Sequence, residues 1–248
     1  MRMKEDAMMN GQLKPGYNVQ AGTENHFIIA YGIFPNPNDT KTLIPFLEKF
    51  EAGSGGKLKT VIADAGYGSE QNYDYLESKK IKPLVKYSTY HQEKKKSFSK
   101  KTYNAKNWAY NRENREYTCP AGNPVPYKET VIKKNDSGFE QAIDEYHCEH
   151  CDGCPFRNEC TKSEYGRVVQ RNENLEKHKE KVRKLLHETE NYELMKQRSP
   201  ECETVFGQTK ANQHFRRFRL RGTEKVRTEW GLLALGYNFK GIAGKING

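Results

Sequence analysis

A chain of 248 residues is long enough to bury a core as one large domain or two smaller ones, yet only 35% of it is hydrophobic and 30% is charged, which implies a large polar surface or an extended insertion. No apolar run approaches the length needed to cross a bilayer, and Met1–Asp6 lacks the apolar core of a secretory signal, so neither a membrane-spanning nor a secreted protein is expected, but a cytoplasmic one. The net charge of +10 is unevenly placed: from Arg198 onward six arginines and four lysines face four glutamates, a patch that attracts a polyanion and makes nucleic acid the natural partner.

In chain order, Tyr17–Ala21 and Phe27–Phe34 read as strands joined by a hairpin at Gly22–Asn25. Pro35–Asp39 breaks the second strand. Asp39 or Thr40 can then cap a helix through Leu43, Phe46, Leu47 and Phe50, which Gly53–Gly56 ends. Lys59–Asp64 reads as a buried strand, Glu70–Lys79 as a helix and Ile81–Lys86 as a further strand. This alternation predicts an α/β fold with parallel pairing and function at the strands' C-terminal ends. Asp64 occupies such an end, where its carboxylate suits a divalent metal ion; a turn or helix cap is the blander use of an aspartate there.

Residues 88–170 read as an insertion. Glu93–Lys101 is a lysine-rich stretch read as a mobile, solvated loop, with stacking of Tyr103, Trp108 and Tyr110 on exposed bases as the sharper alternative. Five of the six cysteines follow: Cys119, Cys148, Cys151, Cys154 and Cys160, with Cys202 apart. In a cytosolic chain this spacing argues for a metal, and four thiolates make a tetrahedral Zn²⁺ site. Cys119, Cys151, Cys154 and Cys160 are the preferred ligands, because a loop ligand paired with a short-spaced knuckle closes the site. Cys148, His147 and His150 are spare candidates; an iron–sulfur cluster and metal-free thiols are the alternatives.

Leu175, His178, Val182, Leu185 and Leu186 mark an amphipathic helix, with His178 and His187 expected at the surface. On the next helix Glu203, Phe206, Gly207 and Lys210 recur at i, i+3, i+4 and i+7, so an acid and a cation share a face two turns apart, with a glycine that admits close approach. A solvated surface helix gives the same pattern. Phe215–Gly222 then carries Arg216, Arg217, Arg219 and Arg221 as DNA-binding candidates. The apolar segment from Trp230 to Phe239 is expected to pack on the sheet, with part of it left for a partner.

An acid at a strand end, a second acid on a late helix and arginines around both are the parts of a site that cleaves phosphodiesters with two metal ions. Gly11–Gln20, Ala63–Asn72, the Glu203 segment with Lys210, and Phe215–Gly222 with Glu229–Asn238 resemble the DDE transposases of bacterial insertion sequences, a likeness that runs through almost the whole chain. The resemblance implies an RNase H-like mixed sheet flanked by helices, Mg²⁺ or Mn²⁺ held by carboxylates, and double-stranded DNA as substrate. It also implies cleavage by water and strand transfer by the freed 3′-hydroxyl. On it, Asp64 matches the second catalytic aspartate, Glu203 the catalytic glutamate, and Lys210 a lysine that contacts DNA near the cut. The cysteines look like those of related transposases.

The family's first catalytic aspartate lies upstream of the stretch that matches Gly11–Gln20. Asp6 sits in a polar leader and Asp39 in a turn, so the expectation is a truncated catalytic domain without its first strand and with little or no activity. Its expected segments are a core part at 1–87, the insertion at 88–170 and a helical core part at 171–248, with a DNA-dependent homodimer as the assembly. A non-catalytic, zinc-stabilised DNA-binding remnant and a hydrolytic nuclease without strand transfer are the competing functions.

Overall fold

The computed structural model describes residues 16–54, 56–211, 215 and 217–246. Asp6, Gly11–Pro15 of the first motif and Arg216 lie outside them. The chain divides into two compact units, one built from residues up to Lys86 and from Val182 on, the other from Tyr87–Lys181.

The first unit opens on a hairpin, β1 (Asn18–Glu24) paired antiparallel with β2 (Phe27–Phe34). The strands reach further than expected because only Asn25 and His26 turn the chain, both at positive φ (51° and 66°). Such a two-residue turn matches the twist of its strands. Beyond it the Asn38 side chain caps a 3-10 turn, Asp39–Lys41, and α1 (Leu43–Ser54) follows. Asp39 therefore stands inside a turn ahead of the helix and does not cap it.

The chain continues as β3 (Thr60–Gly68), α2 (Glu70–Ser78) and β4 (Lys82–Tyr87). Asp64 lies within β3 and not at its end: Ala65 and Gly66 keep the backbone extended, and Thr40 Oγ1 donates to the Gly66 carbonyl. Ser69 Oγ caps α2 by accepting from the Asn72 N–H. Tyr73 and Leu76 of α2 and Leu84 and Val85 of β4 are buried, and the Tyr73 hydroxyl donates to the Val85 carbonyl. Among the described residues β1–β2 and β3–β4 are separate two-stranded sheets, where the strand–helix alternation had suggested one parallel sheet.

The second unit begins with two single-turn helices, α3 (Tyr90–Glu93) and α4 (Lys96–Ser99), where the sequence suggested a mobile loop. Phe98 is buried and fixes this stretch. An antiparallel five-stranded sheet follows in chain order: β5 (Ala109–Asn111), β6 (Glu116–Thr118), β7 (Pro124–Lys134), β8 (Glu140–His147) and β9 (Val168–Arg171). A short α5 (Arg157–Cys160) lies between the last two strands. Trp108, Tyr117, Val125, Tyr146, Cys148 and Val169 are its core, and Tyr110 packs against them. Trp108 Nε1 is spent on the Thr102 carbonyl. Trp108 and Tyr110 therefore serve packing and are not free faces for bases.

The chain then runs into α6 (Glu173–His187), α7 (Thr189–Ala211) and α8 (Thr223–Ile246). Val182 and Leu186 are buried as the periodicity requires, but so is His178, which the sequence placed at the surface. In the first unit, Val205 of α7 meets Ile28, Ala234 and Tyr237, and Phe206 stacks on Trp230 with ring centroids 5.8 Å apart. Asn238 locks α8 to β2: its side chain both donates to the carbonyl and accepts from the N–H of Ile28, at 2.9 Å each.

Candidate active site and cysteine cluster

The first unit gathers two aspartates that are far apart in the chain. Asp64 accepts from the Gly66 N–H at 2.9 Å through Oδ1 and from Arg198 Nη2 at 3.0 Å through Oδ2, with about half of its side chain exposed (48%). Asp39 Oδ1 accepts from the amides of Asn18 at 2.7 Å and Gln20 at 3.0 Å, two residues on the same face of β1. Gly66 separates the pair: a Cβ there would lie 3.1 Å from Asp64 Oδ1 and 3.2 Å from Asp39 Oδ2. The absent side chain keeps the space between the two carboxylates open.

Buried Asn72 holds this corner by donating to the carbonyls of Thr40, at 2.9 Å, and Tyr67, at 2.7 Å. Burial, and then the charges of Asp39 and Asp64, push the Tyr67 hydroxyl well above the usual phenol range, while Arg198 pulls the other way. A protonated phenol therefore borders the two acids.

Helix α7 reaches this region with Arg198, not with Glu203. Cys202, one turn on from Arg198, approaches Thr23 Oγ1 at 3.7 Å, and Glu201 accepts from the His26 N–H at 2.9 Å. Glu203 lies off that stripe, exposed, with its carboxylate bonded to Ser199 Oγ at 2.5 Å. Phe206 turns inward and Lys210 outward, so the face read from Glu203 to Lys210 is only partly open. Among the described residues no group of three Asp, Glu, His or Cys side chains stands at the spacing of a metal site.

The arginine segment after α7 is anchored by aromatic contacts and one carboxylate. Phe215 and Phe218 meet Trp230 at 5.9 Å and 6.4 Å, and Tyr17 meets Phe218 edge-on at 5.8 Å. Glu229 accepts from the backbone N–H groups of Arg219 and Leu220. Gly222, at φ 87°, donates to the Tyr17 hydroxyl at 3.1 Å. Phenylalanines point in, and Arg217, Arg219 and Arg221 are exposed. Sequence reasoning set Asp39 aside as a turn residue and missed the roles of Arg198 and Glu229; the amides at i and i+2 on β1 were the available signal for Asp39.

A family model described as a transposase DDE domain matches residues 118–243. The chain belongs to that family. Transposases act on DNA, which is the substrate class this membership assigns. The match takes in the cysteines from Cys119 to Cys160, Glu203, Lys210 and the arginine segment, while Asp64 and Asp39 precede it. No curated protein and no solved structure matches the chain. No helix among the described residues is long and apolar enough to cross a membrane.

The transposase's second unit brings Cys119, Cys148, Cys151, Cys154 and Cys160 around one small cavity of about 20 Å³, room for a single water-sized atom. The spare candidate Cys148 thus lines the same space as the four preferred cysteines, and His150 borders it. Gly166, at φ 85°, folds the chain against this pocket, so that a Cβ there would lie 3.0 Å from the Cys148 carbonyl. The next N–H, of Arg167, donates to Cys151 Sγ at 3.3 Å. Burial raises the Cys148 and Cys160 thiols above their ordinary range.

Proposed function

We propose that this transposase acts in DNA transposition by metal-dependent phosphodiester cleavage and strand transfer, on an RNase H-like core and in the cytoplasm. The observation that carries the reading is the packing, within one unit, of the β3 strand that bears Asp64 against the α7 helix that bears Glu203, with an outward arginine row beyond. Asp64, with Asp39 beside it, would hold a Mg²⁺ or Mn²⁺ ion, and Glu203 would have to leave Ser199 to join them as a ligand. Their hard oxygens fit such an ion. When bound it neutralises charge on the phosphodiester and lowers the pKa of a coordinated water.

The chain's own residues then hold the substrate. Arg216, Arg217, Arg219 and Arg221 contact phosphates, and Lys210 holds the strand near the cut. Phe215, Phe218 and Glu229 fix the segment in advance, which lowers the entropy lost when DNA docks. Two DNA ends are brought together by a DNA-dependent homodimer.

A second reading, DNA binding without chemistry, is favoured by the ion pair that Arg198 makes with Asp64. One experiment separates the two: the purified chain is incubated with Mn²⁺ and a duplex carrying the element's terminal repeats, beside Asp64→Asn and Glu203→Gln. The first reading expects cleavage that both variants lose; salt-sensitive binding without cleavage supports the second. Absence of binding at low salt sinks both.

In the second unit we propose one Zn²⁺ held by Cys119, Cys151, Cys154 and Cys160. Support comes from the single-atom cavity they share and the N–H bond to Cys151 sulfur, the kind of contact that orients a thiolate ligand; no three of the sulfurs stand at ligand spacing here, so they would have to close on the ion. Elemental analysis of anaerobically purified protein should return about one zinc per chain; iron with sulfide would replace this reading by a cluster, and neither metal would end it.

A further inference from the structure

The stretch from Lys94 to Lys106 carries six lysines and no acid. Its backbone is tied down at three carbonyls. The Asn107 amide donates to those of Phe98 at 2.7 Å and Lys101 at 3.0 Å, and Trp108 Nε1 to that of Thr102 at 2.8 Å. Phe98 and Trp108 are themselves buried, whereas all six lysines are exposed.

Much of this charge is left uncompensated. Lysines elsewhere meet carboxylates: Lys79 pairs with Glu51, Lys134 with Glu140 and Lys196 with Glu193. Lys95, Lys96, Lys100 and Lys101 form no ion pair among the described residues. The acid nearest in sequence, Glu93, bonds the hydroxyls of Tyr87 at 2.7 Å and Thr89 at 2.5 Å through its two oxygens. Lys94 donates to the Tyr90 hydroxyl at 2.9 Å, and Lys106 to Thr89 Oγ1 at 3.2 Å. The remaining four cations fall within seven residues. They repel one another, the pinned backbone cannot spread them apart, and a polyanion relieves the repulsion.

The aromatic rings of the stretch select among polyanions. Tyr90, Phe98 and Trp108 are buried, and Tyr103 lies against Phe156 with ring centroids 6.2 Å apart. With these four rings taken, the face offers charge and no platform for an unpaired base, which suits the phosphate rows of a duplex and not a single strand.

We propose that Lys95, Lys96, Lys100 and Lys101 form a second phosphate-contact face, on the second unit, that holds the backbone of duplex DNA without reading its sequence. The inference rests on DNA being the substrate and deepens the proposed function, since the arginine segment of the first unit is then only part of the electrostatic footprint. Because the lysine segment is already fixed, little backbone entropy is lost there on docking.

The test is the salt dependence of duplex binding by the full chain, native and as the Lys95→Gln, Lys96→Gln, Lys100→Gln, Lys101→Gln variant. The slope of log K against log salt is expected to fall by about 0.9 for each lysine that touches a phosphate, so by about 2–4 in this variant. Affinity near 0.1 M salt should fall at least about tenfold, equally for duplexes with and without terminal repeats. Arginine at the same four positions should restore the native slope. A control that removes four charges from paired lysines, Lys79→Gln, Lys133→Gln, Lys134→Gln and Lys196→Gln, should keep it. An unchanged slope in the first variant, no rescue by arginine, an equal fall in the control, or a loss confined to single-stranded oligonucleotides overturns this face and leaves the proposed function standing. A native chain that binds no duplex at low salt sinks both.

Discussion

The acid cleft and the cysteine pocket hold their polar groups in opposite ways. Asp64 is half exposed, and its partners are one backbone N–H and one guanidinium. A cation or a phosphate-bound ion can displace Arg198 at small cost, because an ion pair open to solvent contributes little. Cys148, by contrast, is buried against Tyr146 and Val169, with Cys119, Cys151 and Cys160 packed on the same cluster. A ligand held there would sit beside a packed aromatic core. The first arrangement suits exchange during turnover, and the second suits a permanent structural occupant.

Removal of the proposed zinc from the cysteine pocket should have the largest effect. Binding energies of structural zinc are about 10 kcal/mol or more, so chelation, or Cys151→Ser, is expected to unfold the second unit. The chain has two tryptophans, Trp108 in that unit and Trp230 in the other, both buried. In a Trp230→Phe background chelation should shift Trp108 emission to the red; in a Trp108→Phe background Trp230 should hold its signal. Simultaneous loss of both signals breaks the comparison. A disturbance of the first unit should act in the reverse sense. A Cβ on Gly231 would lie 2.3 Å from the Tyr31 hydroxyl oxygen, so Gly231→Ala should cost about 1–3 kcal/mol of overpacking in urea unfolding followed by Trp230. Tyr31→Phe should restore most of the loss.

How much of this was legible in the sequence differs between the two regions for a physical reason. The hairpin, the helix from Glu70, and the long helices carrying Val182 and Glu203 follow from periodicity and caps, which are local. The proximity of Asp39 to Asp64 is not local: it depends on Thr40 reaching Gly66 and on Asn72 bonding two carbonyls at once. Trp108 and Tyr110 looked like a stacking surface because residue type alone does not reveal which face is covered. The cysteine spacing announced a cluster, yet the presence of Cys148 on the same cavity needed the strand end to be placed. Glu229 resembled a family motif residue without revealing that its carboxylate fixes the arginine backbone.

Changes at the Arg198–Asp64 pair should barely move stability. Asp64→Asn and Arg198→Ala are each expected to shift unfolding by no more than about 1 kcal/mol. Their effects on ion binding should diverge: Mn²⁺ titration followed by electron paramagnetic resonance should show weaker binding in Asp64→Asn and tighter binding in Arg198→Ala, which frees a carboxylate oxygen. If Arg198→Ala weakens binding instead, the arginine orients the aspartate and the cleft is less exchangeable than the comparison holds.

The smallest expected effect separates the two regions through their tyrosines. Tyr146 is raised by burial first and then by its bond to Tyr110; Tyr67 is raised by burial first and then by the charges of Asp39 and Asp64. For both, the folded pKa exceeds the ordinary value of 10.0, so the contribution to stability is complete below that pH. As pH rises past it, the unfolded chain sheds its phenolic protons while the folded chain keeps them, and stability falls. Tyr146→Phe and Tyr67→Phe should each flatten that decline. Salt should distinguish them, since it screens the carboxylates beside Tyr67 but cannot alter the burial that governs Tyr146. Raising salt at alkaline pH should therefore reduce the difference in slope between the native chain and Tyr67→Phe, leaving the Tyr146→Phe difference unchanged. Equal responses would mean that Tyr67, too, is governed by packing and that the acid cleft is closed to solvent ions.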